Sequence, residues 1–347
     1  MAKISNLFSE SKIDGLTIAN RLVVAPMTRV SATANGVPTD VMKNHYKDYS
    51  KGGWGLIITE GTYIDQKFSQ GYKNQPGIAN KRQIENWRKI VNAVHETNTP
   101  IFMQLIHAGG LIQENIYKKK GIAPSATELL GKMLPHYYGE GKFPVPKEIT
   151  KEQIAETVIA FAKAAKNAME AGFDGIEIHG ANGYLLDQFL TVFSNQRNDE
   201  YGGNLENRIR FHCEVLQSVL DAIKGKIPVG IRISQTKVNN FEYQWPGAEK
   251  DASFIFKKIK SIAPSYIHIS THKGLEPVWN TEHSLAHYAK KYFEGKVIAC
   301  GGLHNPVKAA NLLKNNEADF AAVGKGAIAN PSLPNDIRYN KAQKEFE

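Results

Sequence analysis

His179, Asn182 and Tyr184 stand in one short run, His179-Gly180-Ala181-Asn182-Gly183-Tyr184. An imidazole and a carboxamide can donate two hydrogen bonds to one oxygen, and a phenol beside them can supply a proton. That trio suits polarising a carbonyl and protonating the neighbouring carbon. The run follows Phe173-Asp174-Gly175-Ile176-Glu177-Ile178, which reads as a buried parallel strand. A strand that delivers three such side chains at its end is placing chemistry rather than packing.

Seven further runs resemble that strand. The set is Arg21–Ala25, Trp54–Glu60, Ile101–Ile106, Gly175–His179, Val229–Ser234, Tyr266–Ser270, Val297–Cys300 and Phe320–Val323. Amphipathic segments lie between them. Gln83–Glu96 carries Ile84, Trp87, Ile90, Val91 and Val94 at helical spacing, and Lys151–Glu170 carries Ile154, Val158, Phe161, Ala165 and Met169. Asn204–Lys224, Ala248–Ile262, Glu282–Phe293 and Pro306–Asn315 behave similarly. Thr150 with Gln153 predicts a capping box, and Gly172 a helix stop. Eight β–α alternations predict a (β/α)₈ TIM barrel rather than an open sheet. No Gly-x-Gly-x-x-Gly opens the first helix, which disfavours a dinucleotide-binding sheet. Leu7–Asn20, with its Asp14-Gly15 turn, predicts a hairpin closing the barrel floor. The connection from Gly109 to Ile149 is rich in Gly, Pro, Lys and Tyr, so residues 110–149 are expected to form a lid loop after strand three. No linker divides the chain, and residues 1–347 read as one domain.

Barrel sites form where strands end. Pro26-Met27-Thr28-Arg29, Thr59-Glu60-Gly61, Gln104 with His107, Arg232, Cys300-Gly301-Gly302 and Gly324-Lys325-Gly326 all fall there. Glycines after strands seven and eight let backbone N–H groups approach an anion, and Lys325 adds a charge, which favours a phosphate site. Arg232 lies among Val229, Ile231 and Ile233, so its charge must be paired. Its partner is either Glu60 or Glu177, or an electron-rich ring such as a flavin's pyrimidine edge, which Gln104 could also bond. His107 reads as a core histidine.

Composition narrows the classes. The 347 residues are 42% apolar and 22% charged, without an apolar run long enough to span a bilayer or a secretory leader at the start. Cys213 and Cys300 are the two cysteines, too few for a disulfide framework or a cysteine-held cluster, and both read as small buried hydrophobes. The net charge of +9 is spread out, and Lys118-Lys119-Lys120 has no interleaved aromatics, so the lysines read as solvated surface. No nucleic acid, membrane or metal is expected; a cytoplasmic monomer or homo-oligomer is.

Taken in order, these motifs resemble the old yellow enzyme family of FMN-dependent ene-reductases over nearly the whole chain. The matching stretches are Ala25–Arg29, Thr59–Gly61, Gln104–Gly109, His179–Leu190, Arg197–Gly203, Glu206–Arg208 and Val229–Arg232. The resemblance implies FMN at the barrel mouth. Pro26, Met27, Thr28, Gly61, Gln104 and Arg232 would hold its ring; Gly301, Gly302, Gly324 and Lys325 would hold its phosphate. His179 and Asn182 would bind the oxygen of an activated alkene, Tyr184 would donate the proton, and Tyr72 would line the pocket. Asp199, Tyr201, Asn207 and Arg208 would pin the loop after strand four. The implied cycle is ping-pong, with NADH or NADPH reducing FMN before an enone, enal, maleimide or nitroalkene enters.

The chain departs from many relatives at Gly110 and Lys325, where they carry Arg, and at Ile106, where some carry Trp. Thr28 and Asn182 stand where one branch has Cys and His. Two other readings compete. A flavin reductase of another substrate class is one, although the usual active-site cysteine of a tRNA dihydrouridine synthase has no counterpart here. A non-redox phosphate-binding barrel enzyme is the other.

Overall fold

The computed structural model describes residues 2–346. Eight parallel strands close a barrel: β1 (Leu22–Val24), β2 (Leu56–Ile58), β3 (Ile101–Ile106), β4 (Gly175–His179), β5 (Val229–Ile233), β6 (Tyr266–Ser270), β7 (Lys296–Cys300) and β8 (Phe320–Val323). Each pairs with its neighbours in sequence, β8 pairs with β1, and β2 with β3. The helices that cover it include α1 (Asp40–Lys51), α2 (Lys81–His95), α3 (Lys151–Glu170), α4 (Leu205–Ile223), α5 (Glu249–Lys260), α6 (Leu285–Phe293) and α7 (Pro306–Lys314). The α3 cap is the reciprocal Thr150–Gln153 box, and Gly172 follows its end at φ +96°. No helix among the described residues is long and apolar enough to cross a membrane.

The two-residue period of each strand divides the barrel into levels. Along β3, Ile101, Met103 and Leu105 face the helices, whereas Phe102, Gln104 and Ile106 climb the interior. Phe102 and Tyr266 fill the floor beside Phe320, and Ile13 and Ile18 of the hairpin Ser11–Ile13/Leu16–Ile18 join the same cluster. Gly175 and Gly230 make room for these rings: a Cβ on Gly175 would fall 2.5 Å from Phe102, and one on Gly230 would collide with Tyr266. Truncating such an aromatic typically costs about 3–5 kcal/mol. Above the floor lies a polar level of Gln104, Glu177, Arg232 and His268, on the consecutive strands β3 to β6.

Several strands are shorter than their sequence runs. Arg21 lies outside β1, its guanidinium donating to the carbonyls of Ser9, Glu10 and Asp319. Glu60 leaves β2 because its N–H donates to the Tyr46 hydroxyl at 2.9 Å instead of to a strand. The 110–149 connection is partly ordered. Ile122–Ala123 pairs in parallel with Lys147–Glu148, Pro135–Tyr137 makes one helical turn, and Leu129, Phe143 and Ile149 are buried.

Candidate active site

Strand ends and the 110–149 connection enclose a cleft of about 900 Å³ at the C-terminal rim of the barrel. This lies within the roughly 300–1,000 Å³ typical of ligand pockets. Pro26, Met27, Thr28, Gly61, Tyr72, Gln104, His179, Asn182, Tyr184, Arg232 and Lys325 all line it, as does Ile106. Gly301, Gly302 and Gly324 do not. Gly301 turns its carbonyl to the Gly274 N–H at 2.9 Å, and Gly302 sits in the open at φ +67°. Gly324 immediately precedes Lys325, and a Cβ there would lie 3.7 Å from the Met27 sulfur.

His179 is buried and held in one tautomer. Its Nδ1 accepts from the Ala181 N–H at 3.4 Å, which leaves the proton of a neutral ring on Nε2. Burial, then the nearby Arg232 and His268 charges, keeps its pKa well below the usual value, so the ring is neutral at physiological pH. Asn182 sits at φ +62°, a left-handed conformation that Asn tolerates better than most residues. Its carboxamide makes no hydrogen bond to any described residue. The Tyr184 hydroxyl lies 2.5 Å from that of Tyr72, and the ring stands edge-on to His179 at 5.0 Å. Burial raises the Tyr184 phenol to about 12 and pushes Tyr72 up as well.

The polar level below has a defined wiring. Glu177 accepts from Gln104 Nε2 at 2.8 Å and pairs with His268 Nδ1 at 2.8 Å. One Gln104 N–H is therefore committed to Glu177, and its carbonyl oxygen and second N–H are left for the cleft. Burial pushes the Glu177 carboxyl up, but His268, Arg232 and Gln104 outweigh it and hold it below the usual value. Neither carboxylate expected for Arg232 pairs with it. Glu177 is occupied by His268, and Glu60 accepts from the Arg29 N–H and stands beside Tyr46. The Arg232 side chain is 5% exposed and its Nε has no partner. A guanidinium at that depth with no carboxylate in ion-pair contact and an unpartnered Nε suits an electron-rich ligand.

These residues fit FMN. Arg232 supplies a buried cation and Gln104 an oriented acceptor. Gly61 keeps the wall flat, because a Cβ there would press on Ile106 at 3.1 Å and stand 3.4 Å from Gln104 Oε1. The lining includes Arg29, Arg232 and Lys325 but no carboxylate, which suits an anionic group.

Other expectations met the structure variously. His107 is buried, with Nδ1 accepting from the Gly109 N–H at 3.0 Å, but its Nε2 has no partner among the described residues, so this core histidine is only half satisfied. Asn207 Nδ2 donates to the Gly202 carbonyl, and Arg208 donates to the carbonyls of Gly203 and Leu190. Cys213 and Cys300 are only partly buried, and Cys300 contacts His268 and Arg232 rather than purely apolar neighbours. At Gly110 a side chain would meet Leu129 at 2.7 Å and Pro146 at 3.2 Å, so the connection occupies that space. Sequence reasoning missed Leu134, His136, Tyr137, Tyr138, Val238 and Phe241 in the lining. The Tyr137-Tyr138 doublet was the available signal; the Tyr137 hydroxyl donates to the Thr28 carbonyl at 3.3 Å and its ring packs on Tyr72.

Comparison with known proteins identifies the family and the fold. The model of the NADH:flavin oxidoreductase / NADH oxidase family matches residues 6–344. A probable flavin mononucleotide-dependent alkene reductase of Leishmania infantum is 40% identical, over 92% of this chain and 87% of its own. The old yellow enzyme homologue from Zymomonas mobilis superposes with a TM-score of 0.89 at 30% identity, covering 98% of this chain and 94% of its own. Morphinone reductase in complex with tetrahydroNAD superposes at 0.86 with 30% identity, covering 98% and 92%.

Proposed function

The chain belongs to the NADH:flavin oxidoreductase / NADH oxidase family, and from that premise we propose that it reduces the activated C=C bond of α,β-unsaturated carbonyl or nitro compounds with NADH or NADPH, by a ping-pong cycle on FMN. One observation carries the reading: a neutral His179, an unpartnered Asn182 carboxamide and the Tyr184 phenol share a cleft with the buried Arg232 guanidinium, whose Nε has no partner. Residues 1–347 are read as one FMN-binding domain, with 110–149 as its lid.

FMN, when bound, would supply hydride-transfer chemistry between a nicotinamide and the β-carbon of an activated alkene. Pro26, Met27, Thr28, Gly61, Gln104 and Arg232 would hold its ring, and Lys325, with the Gly301, Gly302 and Gly324 turns outside the cleft lining, would hold its phosphate. His179 Nε2–H and the Asn182 amide donate to the substrate oxygen, where negative charge grows as the double bond is reduced. The His179 ring and the Asn182 backbone are held beforehand, so little reorganisation opposes the reaction. Tyr184 gives its proton to the α-carbon. Tyr72 then donates to the resulting tyrosinate, which offsets the cost of a buried anion.

The test is a visible spectrum of the purified protein, then anaerobic titration with p-hydroxybenzaldehyde. Flavin bands and a new long-wavelength charge-transfer band are expected, as a phenolate held by His179 and Asn182 stacks on FMN. Flavin without the new band would remove the oxyanion assignment. A colourless protein that FMN cannot reconstitute would overturn the redox reading.

A further inference from the structure

Lys237 and Asp187 form an ion pair that the proposed chemistry does not use. Nζ and Oδ1 are 2.6 Å apart, and the side chains are 2% and 0% exposed. Every other Lys or Arg salt bridge among the described residues has at least one partner with appreciable exposure. Burying two ions is costly, and a well-packed apolar pair would often stabilise a fold as well or better. Burial pushes the Asp187 carboxyl up and the Lys237 ammonium down, so each depends on the other to stay charged. The Tyr243 ring, 4.8 Å from Nζ, covers the ammonium.

The contacts of the pair explain why it is there. The second Asp187 oxygen accepts the Gly183 N–H at 2.6 Å. Lys237 bridges Asn182 through its backbone, and the Val238 N–H donates to the Asn182 carbonyl at 3.1 Å. The Asn182 N–H donates to Ser234 Oγ at 2.8 Å, and that hydroxyl donates to the Thr236 carbonyl at 2.7 Å. Asn182 and Gly183 both have positive φ, +62° and +88°. Such a stretch keeps one conformation only when its surroundings over-determine it. Here segment 234–238 and Asp187 take every hydrogen-bonding backbone group of Asn182 and the N–H of Gly183.

We propose that Lys237 is a positioning residue of the oxyanion site: through Asp187 and Gly183 it fixes the loop that aims the Asn182 carboxamide and the Tyr184 phenol into the cleft. The inference rests on the proposed function, since it assigns the latch to that site. An ammonium suits the role because it is compact and can be covered by one ring. The guanidinium fork of arginine needs more space and more acceptors.

Holoprotein of wild type, Lys237→Met, Lys237→Met/Asp187→Leu and Ser234→Ala would be compared by FMN content, thermal midpoint, p-hydroxybenzaldehyde affinity and turnover of a maleimide. The single Lys237 variant leaves Asp187 buried and unpaired, and its midpoint should drop. The double variant removes both charges and should recover stability, but with Asp187 it also loses the acceptor of the Gly183 N–H. Its phenol Kd should rise tenfold or more and kcat should fall by a similar factor, with FMN content unchanged. Ser234→Ala removes one backbone acceptor without touching a charge, and should weaken the phenol about threefold. A double variant of recovered stability that binds the phenol as wild type does, together with an unaffected Ser234→Ala, would show the pair to be structural only. A wild-type holoprotein with no charge-transfer band would overturn the oxyanion reading first, and this inference with it.

Discussion

The two sides of the cleft hang from the same barrel rim but are built on opposite terms. At the β4–β5 side, His179, Tyr184, Asp187 and Lys237 are buried, and loop 181–184 is bonded through its backbone to its neighbours. At the β7–β8 side, Gly302 and Lys325 are exposed, Gly302 has no described neighbour within 4 Å of a Cβ position, and the Lys325 ammonium lies 5.5 Å from the Phe346 ring. Electrostatic groups are worth far more when buried and preorganised than when water screens them. The first side is therefore suited to discriminating a transition state, and the second to holding a charged group loosely from solvent.

That contrast orders the expected effects. Tyr184→Phe should act most strongly, because positioned acid catalysis contributes about 10²–10⁴-fold. Stopped-flow should show slow alkene reduction and nearly normal flavin reduction by NAD(P)H. Equal slowing of both half-reactions would argue against the proton-donor role. His179→Ala comes next. Loss of one oxyanion donor costs about 2.7–4 kcal/mol of transition-state stabilisation, and phenol affinity should fall with turnover. Unchanged phenol affinity would separate His179 from the oxygen. Lys325→Ala should do least, weakening FMN by about threefold to tenfold, with the difference from wild type shrinking as salt is added. A loss as large as that from His179→Ala would erase the distinction between the two sides.

The same contrast governs what the sequence could reveal. The eight strands were legible because buried parallel strands read as apolar runs, and inner polar residues such as Gln104, Glu177 and Arg232 stand out within them. The strand-end motifs were legible for the same reason: chemistry attached to regular elements inherits their period. The lining from 134 to 138 was not. It lies in an irregular connection whose position depends on Leu129, Phe143 and Ile149 finding burial far along the chain, and no local pattern records that. The partner of Arg232 stayed open between a carboxylate and an electron-rich ring, because two carboxylates stand within reach in sequence terms. Register decided the matter, aligning Arg232 with His179 and His268 on the flanking strands while Glu177 was claimed by His268. Lys237 gave no signal beyond being a lysine after β5.

Glu60 carries the contrast into pH dependence. It is buried beneath the 26–30 segment, and burial raises its carboxyl to about 7, against hydrogen bonds from Arg29, Val30 and Tyr46. The folded chain thus keeps this proton up to about pH 7, whereas the unfolded chain releases it near the ordinary 4.5. Glu60 then adds stability that is full below pH 4.5 and lost as pH rises towards 7. The buried histidines work the other way. Burial pushes His107 and His212 down to about 4 and His179 well below its usual value. Their share is full above pH 6.5 and lost as pH falls. The total curve mixes both signs, so the Glu60 contribution must be read as a difference. The thermal midpoint of wild type minus that of Glu60→Gln, followed from pH 4.5 to 7.5, should fall steadily and then level off. Two parallel curves would mean that Glu60 is ionised throughout that range, and that burial governs this end of the site less than its geometry implies.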